Sequence, residues 1–140
     1  MLRVLNATDV RNNWGQFIDD IVRERPCLVK RSRDKIAAIS IDHLEEILRA
    51  YRFTLEYAQE EDSSYSGSLV EIDLVANAAS LAELIDLLVE DLQDYAAEYM
   101  DDYELYHRSP NRSAHFPYIL HVLIKSSKEA VREMIDAQMV

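Results

Sequence analysis

Residues 27–48 read CLVKRSRDKIAAISIDHLEEIL, and this stretch decides the fold expected for the first part of the chain. The apolar segments CLV and IAAISI predict two strands, and the strongly basic KRSRDK between them predicts the tip of a hairpin. Asp42 and Glu45 have the spacing of an acidic capping box, so a helix is predicted to begin at Asp42. The apolar face of that helix comprises Leu44, Ile47, Leu48, Tyr51 and Leu55.

The residues before this stretch predict a strand followed by a helix. Leu2 to Leu5 is a short apolar segment, and Asn6 or Thr8 is the expected N-cap of the helix after it. The dipeptide Arg25-Pro26 predicts the end of that helix, because the residue before a proline disfavours the helical region. Its apolar residues recur at helical spacing and form one stripe: Val10, Trp14, Phe17, Ile18, Ile21 and Val22.

The rest of the sequence predicts a linker and a second region of helices and strands. Residues 59–68, QEEDSSYSGS, are polar and rich in turn formers, which is typical of a linker. Residues 69–75 alternate between apolar and polar, as a half-buried strand does. Ser80 and Glu83 form a capping box that opens a long helix. The seam of that helix holds Leu81, Leu84, Ile85, Leu88, Leu92, Tyr95, Ala96 and Tyr99.

Three further elements are predicted after the long helix. Residues 107–115 predict a loop, residues 118–124 a strongly apolar strand, and Ser126 with Glu129 the start of a final helix. The inner face of that helix comprises Ala130, Val131, Met134 and Ile135. The predicted fold class is therefore α+β. It consists of a strand–helix–hairpin–helix module over residues 1–58, a linker over 59–68, and an acidic strand–helix–strand–helix domain over 69–140.

Charge is divided unevenly along the chain. Residues 1–50 carry nine Lys/Arg and eight Asp/Glu, whereas residues 51–140 carry six Lys/Arg and eighteen Asp/Glu. No Lys or Arg lies between Arg52 and Arg108, a stretch that holds fifteen carboxylates. The balanced half could approach a polyanion, and the acidic half is expected to attract a basic partner.

Composition excludes several classes of protein. A chain of 140 residues that is 49% hydrophobic can bury a core and is not a disordered acidic tail. The best candidate for a membrane span, residues 81–89, is interrupted by two carboxylates, so no span is predicted. The N-terminus turns polar too early for a signal peptide, and the single Cys27 fits a reducing compartment, so a cytoplasmic location is predicted. Gly15 and Gly67 are the only glycines, too few for a phosphate-binding loop.

The basic residues of the first half suggest contact with nucleic acid. Arg and Asn side chains suit the readout of base edges, and Lys/Arg clusters suit phosphates. The candidates are Arg3, Arg11, Asn12, Asn13, Lys30, Arg31, Arg33 and Lys35. The alternative is an ordinary solvated basic surface. Two copies with paired basic strips would bind more strongly than one, because phosphate contacts add.

Three motifs in order carry a family resemblance. NATDVRNNW at residues 6–14, CLVKR with its basic tip at 27–31, and AAISIDHLEEIL at 37–48 together resemble the prevent-host-death (Phd/YefM) antitoxin family. The similarity covers roughly residues 1–55. The chain departs from the family pattern at Val10, where a small residue is usual, and at Trp14, where leucine is usual.

The resemblance implies a fold, a function and partners. In that family the N-terminal module is a dimer that binds operator DNA and represses its own operon, and the acidic C-terminal segment binds a basic toxin, commonly a RelE-type ribonuclease. By position, Arg11 and Asn13 would contact DNA from the first helix, and Lys30 and Arg31 from the hairpin. The implied core or dimer-interface residues are Trp14, Phe17 and Ile18.

The carboxylates of the long helix fall mainly on its polar face. They are Glu83, Asp86, Glu90, Asp91, Asp94, Glu98, Asp101 and Asp102. They could form a solvated surface, a docking face for a basic protein whose cationic groove holds RNA, or a site for a hard cation. No Asp-x-Asp/Asn-x-Asp/Asn-Gly loop supports the cation site, and the four histidines lack metal-ligand spacing, so neither a metal nor a cofactor is predicted.

The predicted function is that of an antitoxin in a type II toxin–antitoxin system, which neutralises a basic toxin and represses its own operon. The alternative is a transcriptional repressor whose C-terminal half is a sensor for a small ligand, with no toxin partner. An enzyme is not predicted, because the sequence shows no nucleophile–base pair, phosphate loop or metal motif. The spacing of Tyr95, Tyr99, Tyr103 and Tyr106 predicts an aromatic seam that is either internal or a partner-binding stripe.

Overall fold

The computed structural model describes residues 2–140 and divides the chain into two compact units. The first unit ends at Ile47, and the second runs from Leu48 to Val140. Residues 1–47 carry eight Lys/Arg and eight Asp/Glu, whereas residues 48–140 carry seven and eighteen. The whole net negative charge of the chain therefore belongs to the second unit.

The first unit contains a three-stranded sheet and three helices. In chain order they are β1 (Arg3–Asn6), α1 (Ala7–Asn12), α2 (Trp14–Arg23), β2 (Cys27–Arg31), β3 (Asp34–Ala38) and α3 (Ile41–Leu48). The strand order is β1-β2-β3, with β1 parallel to β2 and β2 antiparallel to β3. The two-residue turn between β2 and β3 has a positive φ of 53° at Ser32.

The first helical segment starts where the sequence predicts but is divided in two. The side chain of Asn6 accepts a hydrogen bond from the backbone N–H of Thr8 at 2.8 Å, which confirms Asn6 as the N-cap. Asn13 leaves the helical region at φ −129°, and its side chain donates to the carbonyl of Asp9 at 3.0 Å. This local bond ends α1, so the predicted single helix is wrong, and α2 begins at Trp14.

The core of the first unit is small. Its buried residues are Val10, Phe17, Ile21, Cys27 and Val29. Burial raises the pKa of the Cys27 thiol, as expected of a small hydrophobe rather than a nucleophile. The predicted cap of α3 is wrong, because the Ser40 hydroxyl, not Asp42, accepts the backbone N–H of His43 at 3.2 Å.

The second unit combines a four-stranded sheet with four α-helices. Its elements are β4 (Phe53–Gln59), β5 (Tyr65–Leu69), β6 (Val75–Ala78), α4 (Leu81–Asp101), α5 (Tyr103–Arg108), a 3-10 helix (Ser113–His115), α6 (Phe116–Leu123), α7 (Lys128–Arg132) and β7 (Ile135–Met139). The strand order is β6-β5-β4-β7, and only the β4–β7 pair is parallel.

The long helix α4 packs against the core of the second unit. Its predicted N-cap is confirmed, since the Ser80 hydroxyl accepts the backbone N–H of Glu83 at 3.2 Å. Most of its predicted seam is buried together with residues of the sheet and of α6 and α7. The buried residues are Phe53, Leu55, Leu69, Ile72, Leu84, Leu88, Val89, Leu92, Ala96, Tyr99, Ile119, Val122, Val131 and Met134.

The predicted linker at residues 59–68 is wrong, because this segment closes a hairpin between β4 and β5. The backbone N–H of Glu60 donates to the carbonyl of Ser64 at 2.7 Å, and Ser63 has a φ of 70°. Polar turn formers mark a tight hairpin as readily as a linker. The strand before the turn begins at Phe53, so the predicted boundary at residue 58 falls within the second unit. Tyr51 and Leu55 accordingly lie beyond α3.

Three other predicted elements of the second unit are also wrong. Residues 69–75 contain the end of β5, a turn and the start of β6. Residues 118–124 lie largely in α6, because a short run of apolar residues fits a buried helix as well as a strand. α7 is capped by Ser127, not Ser126, and ends before Ile135, which begins β7. The predicted loop at 107–115 includes the end of α5 and the 3-10 helix.

Candidate functional site

The topology of the first unit brings its basic hairpin and the start of its first helix to one end of the sheet. β1 and β2 run parallel in a register that places Asn6 opposite Lys30. α1 follows directly after Asn6, and the turn of the hairpin follows directly after Arg31. Because parallel strands end at the same edge of a sheet, the start of α1 and the hairpin tip lie at the same end.

Three of the eight predicted nucleic-acid contacts already have partners within the first unit. Arg3 pairs with Asp20 at 3.6 Å, and Arg31 pairs with Asp34 at 3.3 Å. The side chain of Asn13 is engaged at the end of α1. No side-chain hydrogen bond or ion pair within residues 2–140 engages the other five, which are all exposed: Arg11, Asn12, Lys30, Arg33 and Lys35.

The predicted dimer-interface residues divide between core and surface. Phe17 is buried, whereas Trp14 is 59% exposed and Ile18 is 40% exposed. Val22, one turn further along α2, is 57% exposed. Residues four apart share a face of a helix, so Trp14, Ile18 and Val22 form one exposed apolar stripe on α2.

Two of the eight acidic residues predicted to bind a partner hold α7 instead. Asp86 forms an ion pair with Arg132, and Glu90 accepts a hydrogen bond from the Nζ of Lys128 at 3.3 Å. A signal for these contacts exists in the sequence. Asp86 and Glu90 are four residues apart, as are Lys128 and Arg132, so each pair occupies one face of its helix.

The remaining acidic residues lie on α4 and at its end, and no ion pair involves them in the part of the chain that the structure describes. Glu83, Asp94, Glu98, Asp101 and Asp102 are exposed, and Asp91 is half-buried. Burial raises the pKa of Asp91, and the negative charges of Asp94 and Glu90 raise it further. A cation brought to this surface would therefore relieve repulsion among these carboxylates. We name the six residues the acidic face.

The four tyrosines at helical spacing form an internal cluster. The hydroxyl of Tyr95 lies 2.8 Å from Nδ1 of His115, and the hydroxyl of Tyr99 donates to the carbonyl of Arg112 at 2.9 Å. The guanidinium of Arg112 lies 4.8 Å from the ring centre of Tyr106. The seam thus ties α4 and α5 to residues 112–116, and it is not an exposed stripe.

His115 makes a pH dependence testable. Burial lowers its pKa below the ordinary value of about 6.5, an effect that Arg112 reinforces and Asp73 opposes. The unfolded chain then takes up a proton at a higher pH than the folded protein, so the free energy of unfolding falls as the pH drops from about 6.5 toward the folded pKa. His115→Gln retains an acceptor for the Tyr95 hydroxyl but does not titrate. Urea unfolding between pH 7 and 5 should show that the free energy of unfolding declines less with falling pH in the variant than in the wild type. An identical decline would contradict this account.

An ion pair that the sequence did not reveal secures β7. Arg52 contacts both carboxylate oxygens of Asp136 at 3.0 Å and donates to the carbonyl of Glu133 at 2.7 Å. The bond to Arg52 lowers the pKa of Asp136. Over eighty residues separate the partners in sequence, so only the parallel β4–β7 pairing brings them together.

A bound metal ion or a membrane-spanning helix would also bear on function. Within residues 2–140, no group of three or more His, Cys, Asp or Glu side chains is arranged to hold a metal ion. No helix in this range is both long enough and apolar enough to cross a membrane.

Comparison with known proteins gives the family of the chain. A family model described as PHD_like, antitoxin of toxin–antitoxin, RelE/RelB, TA system, matches residues 1–137. The chain belongs to this antitoxin family. A similar crystal structure comes from Syntrophomonas wolfei subsp. wolfei and is described as the antitoxin part of a proposed toxin–antitoxin system. It is 39% identical, with a TM-score of 0.92, and the match covers 99% of this chain and 100% of that one. The comparison with curated proteins gives no match.

The predicted resemblance to an antitoxin family is thus confirmed, and family membership implies a toxin partner for this chain. The family is regulatory rather than enzymatic in character, and the sensor alternative is not favoured. The antitoxin match extends beyond the first 55 residues to nearly the whole chain, so the folded second unit is part of the antitoxin.

Proposed function

We propose that the protein is a type II antitoxin of the Phd/YefM type, which neutralises a basic RelE-type ribonuclease and represses its own operon. The observation that carries this proposal is that the charge of the chain is divided along the boundary between its two units. The first unit is neutral overall with a basic end, and the second holds the entire excess of negative charge. Each unit is therefore suited to a partner of a different kind.

The proposed operator contact is the basic end of the first unit. Arg11 and Asn12 lie at the end of α1, and Lys30, Arg33 and Lys35 surround the hairpin turn. None of these side chains is neutralised within the described residues, so they remain available for phosphates and base edges. The first unit carries no net charge, so it does not itself repel DNA at long range as a net negative unit would.

The proposal includes a dimer formed through the first unit. Among its described residues, this unit buries five hydrophobic side chains in its core, yet it leaves an apolar stripe of three residues exposed on α2. A unit of about fifty residues with so small a core gains little stability by itself, and association is one common remedy. Two copies would bury the stripe and present two basic ends to one duplex.

The proposed toxin contact is the acidic face of α4. Toxins that cleave RNA carry a cationic surface for their substrate, and electrostatic complementarity would steer them to unpaired carboxylates. Leu87 is exposed four residues after Glu83 and seven before Asp94. An apolar side chain among charges provides an anchor within a polar rim, which is the usual anatomy of an interface. The second unit is folded, so the toxin would dock on a formed surface.

Close packing argues against a ligand site between β5 and the long helix. A Cβ atom built on Gly67 of β5 would lie 3.1 Å from Cδ2 of Leu84 on α4. Strand and helix are thus in contact at this point, which leaves no room there for the metabolite that a sensor domain would hold.

The experiment that tests the toxin contact reverses charge on the acidic face. We expect Asp94→Lys with Asp101→Lys to weaken binding of the toxin encoded beside the gene by at least about 100-fold, because close charge pairs at interfaces couple by several kcal/mol. Isothermal titration calorimetry on the purified partners measures the change. Glu60→Lys with Glu61→Lys, on the turn between β4 and β5, is the matched control with the same net charge. Equal losses of toxin affinity in both double variants would show that only net charge matters and would contradict a contact at the acidic face.

Operator binding is tested separately by a mobility shift with the duplex upstream of the gene. Arg11→Ala together with Arg33→Ala should abolish the shift at a salt concentration where the wild type binds. If the wild type does not shift this duplex, with or without toxin, the repressor part of the proposal is wrong.

A further inference from the structure

Two lysines of the hairpin lie directly opposite each other. The antiparallel register of β2 and β3 pairs Lys30 with Lys35. Val29 is buried in the core of the first unit, so the neighbouring position, Lys30, lies on the opposite face of the sheet. Lys35 shares that face, because directly paired residues point to the same side. Both side chains are exposed.

This arrangement is unfavourable in the free protein. Opposite residues of an antiparallel pair have Cβ atoms about 5 Å apart, and like charges on directly opposite residues are destabilising. Asp34 is the nearest carboxylate along the hairpin, and it already pairs with Arg31. Residues 30–35 therefore carry a net charge of +3, concentrated in the two lysines and Arg33.

The surroundings leave the lysine pair open to a large partner. The next paired positions on the same face are Leu28 and Ala37, neither of which is buried. All residues from 30 to 35 are exposed, so a duplex backbone can approach this face of the hairpin. Each ammonium group offers three hydrogen-bond donors and no acceptor, so an anion with several oxygens can join the two.

We propose that Lys30 and Lys35 form a clamp for one backbone phosphate of the bound duplex. The inference rests on the proposed operator binding and names the pair of residues that holds the phosphate. The clamp fixes position rather than sequence, because phosphate contacts carry no base information. Its repulsion in the free protein is relieved when the phosphate binds, so stability and DNA affinity respond to these residues in opposite directions.

The test is a set of substitutions measured for both properties. Lys35→Gln and Lys30→Gln should each raise the melting temperature by about 1–4 °C, because each removes the repulsion. Each should also lower affinity for the upstream duplex and for an unrelated duplex of equal length. The slope of log K against log salt should decrease by about 0.9 for each phosphate that is no longer neutralised. Lys35→Glu creates an attractive pair with Lys30. It should therefore raise the melting temperature and lower the affinity for DNA more than either glutamine variant does.

A matched control and the wild-type result separate the possible failures. Arg25→Gln removes the same charge from an exposed site outside the hairpin, and it should change neither the melting temperature nor the salt slope. If the wild type binds the duplex and the lysine variants bind equally well, the clamp is wrong while operator binding stands. If the variants bind less but are no more stable, the lysines act as independent contacts and not as a clamp. If the wild type binds no DNA, operator binding itself fails.

Discussion

Gly67→Ala is expected to lower the free energy of unfolding of the second unit by about 1–3 kcal/mol, the usual range for overpacking a core. Gly67 lies in β5 on the face that meets α4. A Cβ at this position would lie 2.7 Å from Cδ1 of Leu55, 3.0 Å from the carbonyl oxygen of Glu56 and 3.1 Å from Cδ2 of Leu84. The backbone oxygen of Glu56 belongs to β4 and cannot rotate away, so β5 has to shift relative to β4. Gly67→Val, which adds two methyl groups, should destabilise the unit further.

The other glycine supplies a control of opposite sign. Nothing lies within 4 Å of a Cβ built on Gly15, which is exposed in α2. Gly15→Ala should therefore stabilise the first unit by about 0.5–1 kcal/mol through helix propensity. Trp14, the only tryptophan, reports on the first unit, and all eight tyrosines lie in the second. Urea unfolding followed by tryptophan fluorescence and by tyrosine circular dichroism separates the two effects. A stabilising Gly67→Ala would show that the helix–strand contact is looser than described.

The elements that the sequence predicted well are those set by nearby residues. The Asn6 and Ser80 caps bond to backbone N–H groups two or three residues away, so a short pattern suffices to locate them. The basic hairpin tip also follows from local composition. Helical spacing predicted the buried seam of α4, because an amphipathic helix of about twenty residues repeats its signal over several turns.

The elements that the sequence predicted wrongly depend on distant partners. β7 pairs in parallel with β4 across some eighty residues, and nothing near Ile135 indicates that partner. Leu55 of β4 also fits helical spacing with residues of α3, so the local pattern predicts a helix that continues past its actual end. The apolar run of α6 suits either a strand or a helix, and packing against α4 decides between them.

The candidate site could be predicted as a set of charges but not as a set of contacts. Charge asymmetry identified the acidic helix and the basic hairpin. It could not show that Asp86 and Glu90 bind α7, or that Arg31 and Arg3 already have carboxylate partners. Those pairs depend on the orientation of elements, which composition does not contain. Once the residues in these ion pairs are set aside, the other charged residues form a smaller and more specific candidate site.

The exposed apolar stripe on α2 leads to a prediction about association of the protein. An apolar patch on so small a unit indicates a protein interface, and Trp14 is a residue type that often dominates the energy of such interfaces. The Trp14 and Phe17 rings contact at 5.5 Å between centroids, so the exposed indole is supported from the core side. Support of this kind holds a side chain ready to bind without a large loss of conformational freedom.

Ile18→Asp is expected to raise the dissociation constant of the proposed dimer by at least about 30-fold, the factor that corresponds to a 2 kcal/mol hot spot. A carboxylate in the middle of the stripe would be buried without a partner in each copy. Sedimentation velocity over a range of concentrations measures the change. Leu105→Asp, at an exposed apolar position of α5, is the control and should leave the assembly unchanged.

Since two basic ends bind DNA better than one, Ile18→Asp should also weaken operator binding, although Ile18 lies in neither basic segment. A wild type that sediments as a monomer would refute the proposed dimer. A variant that dimerises as well as the wild type would place the dimer contact elsewhere.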